Sequence, residues 1–444
     1  MNRTILTKYG RVTGVPSAIP KFTAFKGIPY AKPPVGELRW RAPVEPERWE
    51  GARVCDQFPP AGMQPAQTKG AFYEIEFFRA GYEVSEDCLY LNVWADLEKK
   101  DQPVMVWIHG GAYSHGFGHE MEFDGDAFAK RGVLLVTLNY RLGALGFMAH
   151  PALTQRDGHS GNYGLMDQIA ALRWVQDNIR AFGGDPKNIT IFGQSAGAGS
   201  VQALMASPLT DGLFHRAIHM SGGSPLASLG GGMSQADAEE TGIELGAVAD
   251  KGLDALYEMR AADIVKCGFM LKGGLRFRPC VDKYVLARAP GDVFQLGEAK
   301  DASLMIGSVD GDAGLFGDPV AASVALAKAR IAQEKPGCYV YHFKRDIPGD
   351  DHPGAFHSSE LWYVFGTLQR SDRPFAARDY GLSLKMTDWW TNFARTGDPG
   401  DGFTAYTAEN PSILEIGEEA GMVDIKNRPQ ADKQSDEMIR SLHA

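Results

Sequence analysis

Two apolar runs, PVMVWI (103–108) and VLLVTLNY (133–140), lack the polar alternation of a half-solvated strand and predict strands buried on both faces. Downstream, Leu165, Ile169, Leu172, Val175 and Ile179 recur at steps of three and four, which predicts an amphipathic helix over 165–182. Asn188 to Phe192 is a short β-branched run that predicts another buried strand, ended by Gly193. From Ala196 onward Val201, Leu204 and Met205 return to helical spacing. RAIHMSG (216–222), ASLMIGS (302–308) and GCYVYHF (337–343) predict further strands, with helical stretches between them. Strands that alternate with helices imply an α/β fold with a mostly parallel central sheet flanked by helices. Sites in such sheets form beyond the carboxyl ends of the strands. Ser195, the 109–118 loop and the loop after Ser308 all follow strand ends, so one crevice can hold them.

Composition narrows the class without choosing a chemistry. The chain has 444 residues, 44% hydrophobic and 23% charged, as expected of a globular protein. No linker, low-complexity tract or fixed-period repeat divides it, so residues 1–444 are expected to form a single domain. A formal net charge of −10 argues against nucleic-acid and anionic-membrane partners. The opening MNRTILTKYGRV lacks the apolar core of a signal peptide, and no run reaches the length of a membrane span. The five cysteines are odd in number and show no C-x-x-C spacing, so neither a disulfide framework nor a zinc site is signalled. A cytoplasmic protein with reduced thiols is the expectation.

The segment NITIFGQSAGAGSVQALM (188–205) sets Ser195 between two glycines where a strand turns into a helix. That is the context a nucleophile elbow requires, and a side chain at either glycine would collide with neighbouring backbone. A serine needs a base, and the base needs a carboxylate to fix its tautomer, in the chain order Ser, acid, His. Among the later histidines, His342 falls inside an alternating strand and reads as a satisfied core or edge residue, while His443 adjoins the C-terminus. His352 reads as a solvated turn beside Pro353. His357 directly precedes Ser358 and Ser359, read as caps of a helix carrying Leu361 and Val364, and is the favoured base. The acid is expected in VDGDAGLF after the strand 302–308, where Asp310 and Asp312 are not separated by spacing. HGGAYSHGFG (109–118) follows a strand directly, so the N–H groups of Gly110, Gly111 and Ala196 are candidates for an oxyanion hole. His109, His115 and His119 invite a metal reading, but the glycine-broken loop does not give the ligand set a site needs.

Beyond these residues, the sequence resembles the type-B carboxylesterase family, the cholinesterase-like branch of the α/β-hydrolases. The resemblance runs through FKGIPYAKPPVGELRWRAP, SEDCLYLNVW, VWIHGGAYSHG, VTLNYRLGALGF and GNYGLMDQIAALRWVQDNIRAFGGDPKNITIFGQSAG. It continues in HMSGGS, FHSSELWYVFG and FARTGDP and so spans nearly the whole chain. It implies an α/β-hydrolase fold and a serine carboxylesterase that uses no cofactor or metal and acts on small neutral or aromatic esters. Residue by residue, Ser195 matches the nucleophile, Gly110, Gly111 and Ala196 the oxyanion donors, and His357 the base. Alignment of IGSVDGDAG with the family's Gly-x-x-x-Asp-Glu-Gly puts Asp312 at the acid.

Three departures stand out. The acid is an aspartate, with Gly311 and Ala313 beside it in place of the family's Asp and Gly. Gly62 occupies the place where secreted members carry the cysteine that pairs with the counterpart of Cys88. The interval from Asp312 to His357 is short, which implies a reduced helical cap. The aromatic-rich segment with Phe72, Tyr73, Phe77, Phe78 and Tyr82 would in the family lie near the rim of the site, or else belong to the core. Two rival readings are a narrower hydroxycinnamoyl (feruloyl) esterase or acyltransferase, and a non-catalytic cholinesterase-like adhesion protein. The second has typically lost the serine or the histidine, and this chain keeps both.

Overall fold

The computed structural model describes residues 3–222, 232–273, 276–335 and 337–441. His443 and the Gly223–Ser224 end of the HMSGGS motif lie outside the described residues. The central element is an 11-stranded sheet. In chain order its strands are β1 (Val15–Pro16), β2 (Thr23–Pro29), β3 (Tyr90–Ala95), β4 (Gln102–Ile108), β5 (Leu134–Leu138), β6 (Gly184–Gln194), β7 (Arg216–Met220), β8 (Ser303–Val309), β9 (Cys338–Phe343), β10 (Ser412–Ile416) and β11 (Ala420–Asp424). Their order across the sheet is β1-β2-β3-β5-β4-β6-β7-β8-β9-β10-β11. From β5 to β10 every neighbouring pair is parallel, and the antiparallel strands flank that block on both sides.

Strand alternation divides the apolar side chains between two cores. Val104, Val106 and Ile108 join one core with Ile189, Ile191, Leu304 and Ile306; Met105 and Trp107 join the other with Phe192, Ile218 and Met305. The first core is covered by helices α1 (Tyr163–Asn178), α2 (Ala196–Ala206) and α3 (Pro319–Ala332), the second by α4 (Ala377–Thr396) and the turn Leu361–Val364. This double cover explains why β4 and β5 read as unbroken apolar runs. Each of the strands expected from those runs is present, with ends shifted by a few residues. The helix expected over 165–182 is α1 followed by a 3-10 turn, Ile179–Phe182.

The pattern did not signal β2, β3 or the β10–β11 hairpin as strands. In β3 a polar residue interrupts the run: buried Asn92 donates to Thr137 Oγ1 on β5 at 3.0 Å and accepts the Gly27 N–H of β2 at 3.0 Å. The amide thus ties three strands together, a role that appears only once they are paired. Between Asp312 and His357 the chain forms the short turn Ala313–Phe316, α3 and β9.

Candidate active site

Ser195 sits at the end of β6 and caps α2, with φ 56° and ψ −123°. A non-glycine residue in that region is strained, and the strain persists because the surroundings fix it. The Ser195 N–H donates to the Met220 carbonyl at 2.9 Å, and its own carbonyl accepts the Gly199 N–H at 2.9 Å. The flanking glycines are required by close packing. A Cβ at Gly197 would lie 2.1 Å from the Ile108 carbonyl, and one at Gly193 2.5 Å from the Gly197 carbonyl.

The histidine side is assembled from separate segments. His357 Nδ1 lies 2.5 Å from Asp312 Oδ1. The other Asp312 oxygen accepts the Val309 N–H at 3.0 Å, and the side chain is 1% exposed. Asp310 is instead 69% exposed and lies 3.5 Å from His342 Nε2. An ionised carboxylate only accepts, so Nδ1 carries the ring proton and Nε2 is left as the acceptor. The Gln194 side-chain amide meets that Nε2 at 3.2 Å. The loop of Asp312 is fastened to the loop of His357 by Gly311 N–H to the Ala355 carbonyl at 2.8 Å.

The expected serine caps are absent. The turn Leu361–Val364 follows Glu360, which makes no side-chain cap bond, and Ser358 takes φ 80°. His357 is held from above instead. Tyr73 Oη donates to the His357 carbonyl at 3.2 Å, and Phe356 packs edge-on against Phe72 at 4.8 Å. Arg373 lies over the Phe72 and Phe356 rings while it binds Glu76 and Asp351.

The loop after β4 bends sharply, with Gly111, Ala112 and Tyr113 all at positive φ. The Gly111 carbonyl accepts the N–H groups of Ser114 and His115 at 2.9 and 3.0 Å, which folds the loop back on itself. Ala196 opens α2, so its N–H has no carbonyl one turn earlier. Gly110, Gly111 and Ala196 line the same cavity as Gln194, Ser195 and His357, about 560 Å³ in volume. Tyr73, Phe77, Phe78 and Phe123 form its aromatic wall. Of the aromatic segment, Phe77 and Phe78 are buried, Phe72 and Tyr73 are 38% and 40% exposed, and Tyr82 lines an adjoining cavity. The core and rim readings thus each hold for part of it.

Several titratable groups nearby are strongly displaced. Glu120 and Glu122 line the cavity, and burial pushes the Glu120 carboxyl up to about 8 and raises that of Glu122. Glu360 is wholly buried and accepts from Ser221 Oγ at 3.5 Å; burial, then the nearby Asp312 charge, pushes it up to about 8. The sequence reading passed over these three glutamates, although each stands within a motif it quoted or two to four residues beyond one. Burial lowers His109 to about 3 and His119 to about 4. The loop histidines are directed apart: His109 stacks on Tyr140 and His119 on Phe58, while His115 lines the cavity. His352 is exposed in a turn. His342 is buried, but neither ring nitrogen has a hydrogen-bond partner among the described residues, so it is not the satisfied histidine expected. All five cysteines carry free thiols. No helix among the described residues is long and apolar enough to cross a membrane.

Known proteins share this arrangement of chain. A family model described as the carboxylesterase family matches residues 1–329 and 316–435. The para-nitrobenzyl esterase of Bacillus subtilis (strain 168) is 34% identical over 496 residues, covering 97% of this chain and 98% of that one. The fumonisin B1 esterase of Sphingopyxis macrogoltabida is 34% identical over 464 residues, covering 89% of this chain and 82% of that one. Among solved structures, a PNB esterase superposes with a TM-score of 0.86 at 32% identity, covering 98% of this chain and 99% of that one. A thermophilic PNB esterase gives 0.85 at 32% identity, covering 98% and 100%.

Proposed function

Because the chain belongs to the carboxylesterase family and is a carboxylic ester hydrolase with the α/β-hydrolase fold, we propose that Ser195, His357 and Asp312 carry out ester hydrolysis through an acyl-enzyme. Ser195 Oγ attacks the ester carbonyl carbon while His357 Nε2 takes the hydroxyl proton. Negative charge then develops on the carbonyl oxygen, and the N–H groups of Gly110, Gly111 and Ala196 stabilise it. Collapse of the tetrahedral intermediate breaks the bond to the alkoxy oxygen, which leaves as the alcohol with the proton held by His357. Water, deprotonated by the same nitrogen, attacks the acyl carbon; the acid departs and Ser195 regains its proton. Asp312 holds the ring in the tautomer that accepts at Nε2 and stabilises the imidazolium formed in each half.

The observation that carries this reading is the 2.5 Å contact of His357 Nδ1 with Asp312, in a ring that shares one cavity with the strained Ser195. An aryl phosphate ester such as paraoxon tests it. Stoichiometric inactivation with the adduct mass on the peptide containing Ser195 is the expected result. Inactivation with the adduct on another serine would overturn it.

The aromatic wall of Tyr73, Phe77 and Phe78 also supports a second reading, turnover of esters with bulky aromatic acyl groups. A panel of chromogenic and plant-phenolic esters checks it through kcat/KM for feruloyl against acetyl esters. Undetectable feruloyl turnover would remove this reading and leave the first.

A further inference from the structure

Of the three histidines on the loop after β4, His115 is the one that lines the cavity with Ser195, and hydrolysis by Ser195, His357 and Asp312 leaves it unused. Its backbone is held on both sides. The His115 N–H donates to the Gly111 carbonyl at 3.0 Å. Gln64 clamps the next residue: its Oε1 accepts the Gly116 N–H at 2.9 Å, and its Nε2 donates to the Gly116 carbonyl at 3.0 Å. None of these bonds uses the imidazole. The ring lies against Gly111, where an added Cβ would stand 3.1 Å from His115 Cδ2, the carbon bonded to Nε2.

The imidazole suits one kind of neighbour. Nδ1 lies 3.1 Å from Ser114 Oγ, which also lies 3.3 Å from the Gly111 carbonyl. The Ser114 hydroxyl has a single proton to give. Given to the carbonyl, it leaves Oγ to accept from Nδ1, and Nε2 is then an acceptor. Given to Nδ1, it leaves the ring proton on Nε2, which is then a donor. Among the described residues the ring bonds only Ser114, so Nε2 is left for a ligand. Burial lowers His115 below the ordinary histidine range, so the ring is neutral near pH 7. A partner that both donates and accepts fits either state, and a hydroxyl does both.

We propose that His115 determines specificity by binding a substrate hydroxyl close to the ester carbonyl, as in esters of 2-hydroxy acids or of 1,2-diols. The proposal rests on the hydrolase reading above, in which the Gly111 N–H stabilises the carbonyl oxygen. Because the ring edge that carries Nε2 abuts Gly111, the hydroxyl it reaches is a few bonds from the carbonyl carbon.

Two substrate pairs set a hydroxyl against a methyl group. Methyl lactate against methyl 2-methylpropanoate places the hydroxyl on the acyl part. The pair of 2-hydroxyethyl butanoate and propyl butanoate places it on the alcohol. In at least one pair His115→Leu should lower the hydroxyl-to-methyl ratio of kcat/KM about fivefold or more, the worth of about one hydrogen bond. His115→Gln, whose amide donates and accepts at about the reach of Nε2, should hold that ratio within about twofold of wild type. Ratios that His115→Leu leaves unchanged in both pairs overturn the proposal, because a residue that only shapes the loop would slow both members of a pair alike. An equal fall of the ratio in His115→Leu and His115→Gln overturns it too. If neither variant folds, the wild-type ratios decide, each divided by the ratio for alkaline hydrolysis of the same two esters. The hydroxyl ester favoured in either pair supports the subsite, and the methyl ester favoured in both overturns it. Failure of the wild type to hydrolyse either hydroxyl-free ester would instead overturn the hydrolase reading.

Discussion

The Ser195 turn and the His357 loop face one cavity, yet the chain builds them by different means. The serine side is a single continuous segment, β6–Ser195–α2, whose geometry follows from small residues packed against the end of β4. The histidine side gathers the end of β8, the turn at 355–357, and the 72–78 segment, which is tied across by Arg373. The strained Ser195 turn is thus fixed by backbone packed closely on both sides of it. His357 is instead placed by contacts between segments far apart in the chain.

Removing one group from each side sharpens that contrast. Ser195→Ala should lower kcat on a short-chain 4-nitrophenyl ester by about 10⁶ while far-UV circular dichroism stays unchanged. Retention of more than a few per cent of activity in a folded, uncontaminated variant would contradict the assignment. On the other side, Asp312→Asn should cost about 10⁴ in kcat with KM little altered, because the amide holds the wrong tautomer. Asp310→Asn, at an exposed carboxyl, should change kcat by less than about tenfold. A crippled Asp310→Asn with an active Asp312→Asn would reverse the roles of the two aspartates.

Smaller changes probe how each side is supported. Gly197→Ala puts a methyl 2.1 Å from the Ile108 carbonyl, and urea denaturation should show a loss of about 1–3 kcal/mol or more. Tyr73→Phe deletes only the bond to the His357 carbonyl. Its effect should be a fall of about two- to tenfold in kcat, the worth of one ordinary hydrogen bond. A greater loss of stability on urea denaturation for Tyr73→Phe than for Gly197→Ala would show that the histidine side, not the elbow, is the more tightly specified.

The same contrast decides what was legible in the sequence. The elbow could be read because strand, turn and helix are adjacent in the chain and the glycines mark where backbone must pass closely. The parallel centre of the sheet could be read because double burial leaves unbroken apolar runs. Asp310 and Asp312 could not be told apart locally. They differ only in that Asp312 turns inward to the Val309 N–H and His357, a choice made by the packing of β8 against the 355–357 turn. The capping role expected of Ser358 and Ser359 failed for a related reason: anchorage came from Tyr73 and Phe356, far apart in sequence. Glu120 and Glu122 carry no local sign of burial, which follows only from the tertiary structure that closes over them.

Glu360 turns folding into a reaction that takes up a proton. Its carboxyl titrates near 4.5 when unfolded and at about 8 in the native chain, so between those values the folded state holds a proton that the unfolded state has released. Stability contributed in this way is complete below about pH 4.5 and drains away as pH rises toward 8, opposite to the trend for a salt-bridged carboxylate. Glu360→Gln, permanently uncharged, should therefore gain on the wild type as the medium becomes alkaline. The difference in Tm between variant and wild type, compared at about pH 5.5 and 8.5, should shift in the variant's favour by on the order of 2 °C or more. Acid medium would then hold the chain folded most firmly, below the pH at which Glu360 gives up its proton.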